Sequence, residues 1–148
     1  MRPKAINAVT VEFPSRSANE GFARAAAACF AAQLDPTLDE LNDVRTSVSE
    51  AVTNAIVHAY PDTIGKVSMK LRIYGDNTLE IVVRDWGVGI ADIEQARQPM
   101  FTTGGQERAG MGFTIMESFM DALRVRSAPG KGTSVTMRRR IALRAGGK

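Results

Sequence analysis

The sequence predicts an α+β fold, a two-layer sandwich with helices on one face of a mixed, mostly antiparallel sheet. Residues 66–74 and 78–85 alternate apolar and polar side chains around a Gly-Asp-Asn turn, which indicates a β-hairpin. Residues 123–128 and 133–141 form a second such pair around the turn Ala-Pro-Gly-Lys-Gly. Three segments with helical patterns supply the second layer.

The elements before the first hairpin follow from local patterns. Residues 9–13 alternate apolar and polar side chains and predict a first strand. An alanine-rich segment then predicts a helix, with Ser17 and Glu20 spaced as a capping box. Thr37 is placed to cap a longer helix that runs to about residue 60, with apolar residues along one side.

The segment after the first hairpin is irregular and rich in glycine, and only a short helix near Asp92 is expected in it. A further helix is expected from about Gly110 to Ala122, before the second pair of strands. No internal repeat or linker divides the chain. We therefore expect one domain over residues 1–148, with a basic, frayed tail at 142–148.

Composition narrows the classes of function. The chain has 148 residues, of which 44% are hydrophobic and 24% charged, typical of one globular domain. One cysteine and one histidine exclude an internal disulfide framework, a cysteine-based zinc cluster and a histidine-rich metal site. Without a long apolar run or a signal-peptide segment, the sequence favours a cytoplasmic protein that does not enter a membrane.

The net charge of +3 conceals an asymmetry. Residues 1–123 carry 11 basic and 16 acidic side chains, whereas residues 124–148 carry eight basic side chains and no acidic one. A basic end can contact nucleic acid or an acidic partner. No aromatic residues are interleaved with these charges, so we favour a solvated strand and tail, and we expect no direct contact with nucleic acid.

Three short motifs carry the candidate chemistry. Glu50 and Asn54 are four residues apart on the second predicted helix, so they project from the same face. Asp85 ends a strand and is followed by Gly87 and Gly89, which let backbone approach the carboxylate closely. A third motif, Gly-Met-Gly at 110–112, opens a predicted helix whose exposed N–H groups could hold a phosphate.

These motifs, in this order, resemble those of the GHKL ATPase/kinase superfamily. Longer stretches, among them SEAVTNAIVHAY at 49–60, RDWGVGI at 84–90 and GMGFTIMESFMDALRVRSAPGKGTSV at 110–135, are similar to the anti-sigma-F family of sporulation serine kinases. The similarity extends from about residue 9 to residue 140. It implies the GHKL ATP-binding fold and a homodimeric, ATP-dependent kinase. Such a kinase binds a sigma factor and phosphorylates a serine of its anti-anti-sigma partner.

The resemblance also implies roles for individual residues. Asn54 would bind Mg²⁺, and Glu50 would act as the general base toward the serine hydroxyl. Asp85 would accept a hydrogen bond from the adenine amino group, with support from Thr133. Arg24 would contact the protein partners. Arg108, at the edge of a lid over residues 98–109, would reach the terminal phosphate and is the second catalytic candidate beside Glu50. The remaining residues implied to bind ATP or ADP are Gly87, Gly89, Thr102, Thr103, Gly110 and Gly112.

Other interpretations stay open at this stage. The chain could be a nucleotide-dependent module that holds a sigma factor without transferring phosphate, although such a module needs no general base at Glu50. It could also be an anti-sigma kinase that serves a stress sigma factor. A detached histidine-kinase domain would need an acceptor histidine, and the one histidine, His58, lies near the expected nucleotide site. We expect His58 to be a packed residue at the helix end.

Overall fold

The computed structural model describes residues 3–93 and 105–143, and for residues 105–110 it describes the backbone alone. Three α-helices and five β-strands lie in these ranges. In chain order they are β1 (Ala5–Pro14), α1 (Asn19–Ala31), a 3₁₀ turn (Ala32–Leu34), α2 (Leu38–His58), β2 (Lys66–Tyr74), β3 (Thr78–Asp85), α3 (Gly105–Phe119), β4 (Ala122–Ala128) and β5 (Gly132–Arg140).

The five strands form one sheet in the order β1-β2-β3-β5-β4. All four pairings among them are antiparallel, so the predicted α+β sandwich with a mostly antiparallel sheet is confirmed, and the described part of the sheet contains no parallel pair. Leu71, Ile81 and Met137 are neighbours in register and are fully buried. They belong to the apolar face that the helices cover.

Helix α2 is the central element of the helical layer. The Thr37 side chain accepts a hydrogen bond from the Glu40 backbone N–H at 3.1 Å, and the Glu40 carboxylate accepts one from the Thr37 N–H at 2.9 Å. This capping box confirms Thr37 as the start of the helix. Val44, Val48 and Val52 follow at intervals of four residues and are fully buried, so one side of α2 faces the core.

Two helix starts differ from the sequence prediction. Helix α1 begins at Asn19 with Ala18 as its N-cap and without a side-chain cap, so the capping box predicted at Ser17 is wrong. Helix α3 begins at Gly105 rather than at Gly110. Helix α3 packs against α2, and its Phe113 is almost fully buried in the core. The packing of this aromatic side chain stabilises a helix that contains glycine.

The basic C-terminal strand has acidic partners within the fold. Arg138 contacts the buried Glu80 at 2.7 Å, and Arg139 contacts Asp43 on α2 at 2.8 Å. Burial alone would raise the pKa of Glu80, but hydrogen bonds from Arg72 and Arg138 hold that pKa below its ordinary value. Part of the C-terminal positive charge therefore serves to pair buried or half-buried carboxylates.

None of the helices in residues 3–93 and 105–143 combines the length and the apolar composition that crossing a bilayer requires.

The capping box of α2 can be tested directly. Replacing Thr37 with Ala removes the acceptor for the Glu40 N–H, and we expect the free energy of unfolding to fall by about 1 kcal/mol. Urea unfolding followed by circular dichroism measures the change. Thr37→Ser keeps the hydroxyl and should retain most of the stability. Equal losses in the two variants would show that the cap does not hold the helix start.

Candidate functional site

A cavity of about 370 Å³ lies between α2, α3 and the ends of β3 and β5. Apolar side chains form most of its walls, among them Ala55, Val83, Phe113 and Val135. Its polar residues come from three elements: Asn54 and His58 from α2, Asp85 from the end of β3, and Thr133 from the start of β5. An apolar pocket with a few convergent polar groups is typical of a small-molecule site.

A larger concavity of about 590 Å³ lies on the helix-free face of the sheet, around Arg72, Glu80 and Arg138. These three side chains are already joined by ion pairs of 2.7 Å. None of the site residues predicted from the motifs borders it. The smaller cavity is therefore the candidate site, because Asn54, Asp85 and Thr133 from the predicted set line it.

Glu50 and Asn54 meet α3 at Gly112. A Cβ atom added at Gly112 would lie 3.1 Å from Glu50 Oε1 and 3.4 Å from Asn54 Nδ2. Gly112 itself is buried at this contact. The two helices can approach this closely because residue 112 has no side chain. The structure thus brings the first and third sequence motifs together at one end of the cavity.

The Asn54 side-chain amide is available to a ligand. Its Nδ2 atom is buried and makes no hydrogen bond with any residue in the part of the chain that the structure describes. A buried amide without a partner costs free energy, so such groups commonly serve a ligand or a bound water. The unpaired Nδ2 atom is a hydrogen-bond donor and suits an acceptor such as a phosphate oxygen. The amide oxygen of the same side chain is a donor of the kind that Mg²⁺ prefers, so Asn54 also fits a magnesium site.

Asp85 lies at the floor of the cavity and is only 5% exposed. Its Oδ1 atom accepts hydrogen bonds from the Gly87 N–H at 3.0 Å and the Thr133 N–H at 3.2 Å. Burial raises the pKa of this carboxyl above its ordinary 3.8, and the two hydrogen bonds offset part of that shift. Within the described ranges no group donates to Oδ2, so that oxygen can accept a hydrogen bond from a ligand.

Gly87 and Gly89 hold the loop after β3 against two other segments. A Cβ atom at Gly87 would collide with the carbonyl oxygen of Ala59 at the end of α2. Gly89 has a φ of +77°, and a Cβ atom there would collide with the carbonyl oxygen of Ala128. A hydrogen bond of 2.9 Å from the Val88 N–H to that Ala59 carbonyl fixes the loop. Both glycines are therefore required by close backbone approach.

The sequence motifs did not identify Ser127, which lies beside the cavity at the end of β4. Its hydroxyl lies 2.7 Å from the Ile90 N–H, 2.9 Å from the Gly132 carbonyl and 2.8 Å from the Thr133 hydroxyl. Ser127 and Thr133 are paired in the β4–β5 register. Without knowledge of that register, no local pattern distinguishes Ser127 from an ordinary strand serine.

His58 and Trp86 occupy different positions relative to the cavity. His58 lines the cavity near Asn54. Trp86 does not line it. The charged groups of Lys66 and Arg84 lie 4.3 and 4.7 Å from the centre of the Trp86 ring. Cation–π contacts of this kind cover the outer side of the loop.

Arg24 forms an ion pair of 3.4 Å with Glu20 on α1. Arg24 and Glu50 border one open cleft of about 240 Å³. Gly110 and the backbone of Arg108 lie within α3, so Gly110 does not open that helix. The side chain of Arg108, together with Thr102 and Thr103, lies outside the described residues.

Comparison with known proteins identifies relatives over most of the chain. Residues 13–139 match the family described as the histidine kinase-like ATPase domain. A protein named anti-sigma F factor from Caldanaerobacter subterraneus is 54% identical over 136 residues, which cover 91% of this chain and 94% of the relative. A protein of the same name from Heyndrickxia coagulans is 55% identical over 142 residues, covering 93% and 95%.

Solved structures with the same fold are more distant in sequence. The RsbU and RsbW domains of Rv1364c from Mycobacterium tuberculosis match with a TM-score of 0.65 at 17% identity, over 93% of this chain and 33% of that one. A histidine kinase domain from Erythrobacter litoralis matches with a TM-score of 0.54 at 19% identity, over 82% of this chain and 61% of that one. At these identities the likeness establishes the fold alone.

Because the backbone of Gly87 lies so close to Ala59, any larger residue at position 87 should lower the stability of the fold. Gly87→Ala would force the loop away from Ala59, and we expect the free energy of unfolding to fall by about 2 kcal/mol. Gly75→Ala is the matched control, because nothing lies within 4 Å of a Cβ atom there. Urea unfolding of both variants makes the comparison. Similar stabilities would contradict the proposed packing of the loop.

Burial of Asp85 predicts a pH-dependent effect. Above pH 3.8, and up to its raised pKa, the folded chain keeps a proton on Asp85 that the unfolded chain has lost. Stability attributable to this group therefore falls as pH rises through that window. Asp85→Asn should lack this fall, so its stability relative to wild type should grow with pH.

Urea unfolding across a pH series measures this difference. Asp62→Asn, which changes an exposed aspartate, is the control and should track wild type. If the curves of wild type and Asp85→Asn stay parallel at all pH values, the Asp85 carboxylate is not destabilised by burial.

Proposed function

The chain belongs to the histidine kinase-like ATPase family, and on that premise we propose that it is an anti-sigma factor that also phosphorylates a serine of an anti-anti-sigma protein with ATP. The relatives at about 55% identity are named anti-sigma F factors, which supports a sporulation sigma factor as the protein that it inhibits. The observation that carries the proposal is the meeting of Glu50, Asn54 and Gly112 at one end of the cavity whose floor is Asp85.

The adenine base of ATP or ADP fits the cavity floor. The Oδ2 atom of Asp85 accepts a hydrogen bond from the amino group of adenine, and guanine has a carbonyl oxygen at the same position. A carboxylate would repel that oxygen, so the pocket favours adenine. Apolar walls at Ala55, Val83 and Val135 pack against the faces of the base, and Thr133 supports the same edge.

The amide oxygen of Asn54 would hold Mg²⁺, which would supply positive charge to neutralise the phosphates of ATP. Glu50, one turn before Asn54, accepts the proton of the serine hydroxyl as that oxygen attacks the terminal phosphorus of ATP. The bond between the terminal phosphorus and the bridging oxygen breaks, and ADP leaves. The proton stays on Glu50 until water removes it.

The phosphate contacts form a separate part of the proposal. We propose that the backbone N–H groups of Gly110 and Gly112 bind phosphate oxygens, and that Arg108, Thr102 and Thr103 complete the contacts. In α3 the N–H groups of both glycines lie inside the helix, so the first turns of α3 must open before these groups can donate to a phosphate.

Protein partners would approach the cleft that Arg24 and Glu50 share. A serine-bearing segment bound there places its hydroxyl beside the proposed base, and Arg24 offers a positive charge to the partner. We also propose, as the resemblance of the motifs implies, that the chain acts as a homodimer. A direct contact with nucleic acid or with a membrane has no part in this mechanism.

Phosphate transfer tests the assignment of Glu50. Purified protein is incubated with Mg²⁺, terminally labelled ATP and an anti-anti-sigma protein, and labelled phosphoserine is measured. Glu50→Gln keeps the shape of the side chain but accepts no proton, and we expect transfer to be slower by about 10²- to 10⁴-fold with nucleotide binding retained. Transfer at the wild-type rate would refute Glu50 as the base.

Asn54→Ala separates metal binding from proton transfer. We expect this variant to lose the part of its ATP affinity that depends on Mg²⁺, as measured by calorimetry with Mg²⁺ and with a chelator. Glu50→Gln is the comparison and should keep that dependence. If wild type binds ATP but transfers no phosphate to the partner, the chain is a nucleotide-dependent binding module, and capture of a sigma factor becomes its function.

A further inference from the structure

We propose that Ser127 is a positioning residue that determines the base preference of the pocket. It fixes the Thr133 hydroxyl as a hydrogen-bond acceptor toward the cavity, so that the floor favours a purine with a 6-amino group over one with a 6-oxo group. This inference rests on the proposed binding of an adenine nucleotide. It adds a residue that does not itself line the cavity.

The Ser127 hydroxyl has one proton to donate. The Ile90 N–H, at 2.7 Å, can only donate, so the Ser127 oxygen accepts that bond. The Gly132 carbonyl, at 2.9 Å, can only accept, so the Ser127 proton points to it. Ser127 therefore has no proton left for its third neighbour.

The hydrogen bond between the Ser127 and Thr133 hydroxyls has a direction set by the other partners of Ser127. Their hydroxyl oxygens are 2.8 Å apart, and either could be the donor on distance alone. Because the Ser127 proton is committed to Gly132, the Thr133 hydroxyl must donate to Ser127. The lone pairs of Thr133 Oγ1 remain, so this hydroxyl can offer only an acceptor to a ligand.

Thr133 and Asp85 are hydrogen-bonded neighbours, and both line the cavity. The backbone N–H of Thr133 donates to Asp85 Oδ1, so Thr133 has given away both of its polar hydrogens. The Oδ2 atom of Asp85 is also an acceptor while the carboxyl is ionised. The polar part of the floor formed by Thr133 and Asp85 therefore presents acceptors alone to the cavity.

A floor of acceptors matches one kind of purine edge. A 6-amino group carries two hydrogens and can donate to both residues. A 6-oxo group carries lone pairs and would leave buried oxygens facing one another without a hydrogen bond, which is costly. If Thr133 were released from Ser127, its hydroxyl could turn and donate to a 6-oxo oxygen, and the preference would weaken.

The test compares binding of ADP and of inosine diphosphate, which differ at the 6-position and not at the 2-position. Titration calorimetry gives both affinities for wild type, Ser127→Ala, Thr133→Val and the double variant. We expect Ser127→Ala to reduce the ratio of ADP to inosine diphosphate affinity by about three- to tenfold, the range for one hydrogen bond. In the Thr133→Val background the same change should leave the ratio unaltered.

Ser127 also accepts a hydrogen bond from the Ile90 N–H, so Ser127→Ala could disturb the loop itself. Two conservative variants distinguish that structural effect from a change in base preference. Ser127→Thr keeps the hydroxyl and should keep the wild-type ratio. Ser127→Cys keeps the size but accepts hydrogen bonds weakly, so it should reduce the ratio and replaces Ser127→Ala if that variant does not fold. Circular dichroism confirms folding in each case.

Four results would overturn the inference. Equal losses of affinity for both nucleotides in Ser127→Ala would mean that Ser127 only holds the loop. The same change in ratio in the presence and absence of the Thr133 hydroxyl would mean that Thr133 does not transmit the effect. Wild type that binds neither nucleotide would overturn the proposed function as well, whereas wild type that prefers ADP regardless of Ser127 would overturn the inference alone.

Discussion

The buried carboxylate of Asp85 is the constraint around which this site is built. A desolvated charge is tolerated only when hydrogen bonds compensate it, and here two backbone N–H groups converge on Oδ1. One N–H group comes from the loop after β3 and the other from the start of β5, so both segments must lie within hydrogen-bond distance of the end of β3. Gly87 permits that approach against the end of α2. The compensation is partial, so burial still raises the pKa of Asp85.

The same geometry separates stability from function. One oxygen of Asp85 is used to hold the fold together, while the other has no partner among the described residues and is left for a ligand. The Asn54 Nδ2 atom, which also makes no hydrogen bond with any described residue, is a second polar group of the cavity left for a ligand. Both groups reduce the stability of the ligand-free chain, and a bound nucleotide would recover that free energy.

Much of the fold could be predicted because its signals are local. The hairpin at 66–85 follows from strict alternation and a turn whose Asn77 adopts a left-handed φ of 70°. Thr37 was identified because a capping box lies within four residues. Ser17 has the same spacing, yet the chain there starts its helix at Asn19 instead.

The start of α3 was not predicted correctly because glycines inside a helix resemble a helix boundary. Gly112 is explained only by its contact with Glu50 and Asn54. Ser127 depends on strand register, which the sequence does not reveal.

The most direct test of the account is a crystal structure of the protein with Mg²⁺ and a non-hydrolysable ATP analogue. The account predicts the adenine amino group within hydrogen-bond distance of Asp85 Oδ2, and the metal bound to the Asn54 amide oxygen. A nucleotide bound elsewhere, or a base whose amino group does not contact Asp85, would contradict the central claim that this carboxylate is buried to recognise adenine.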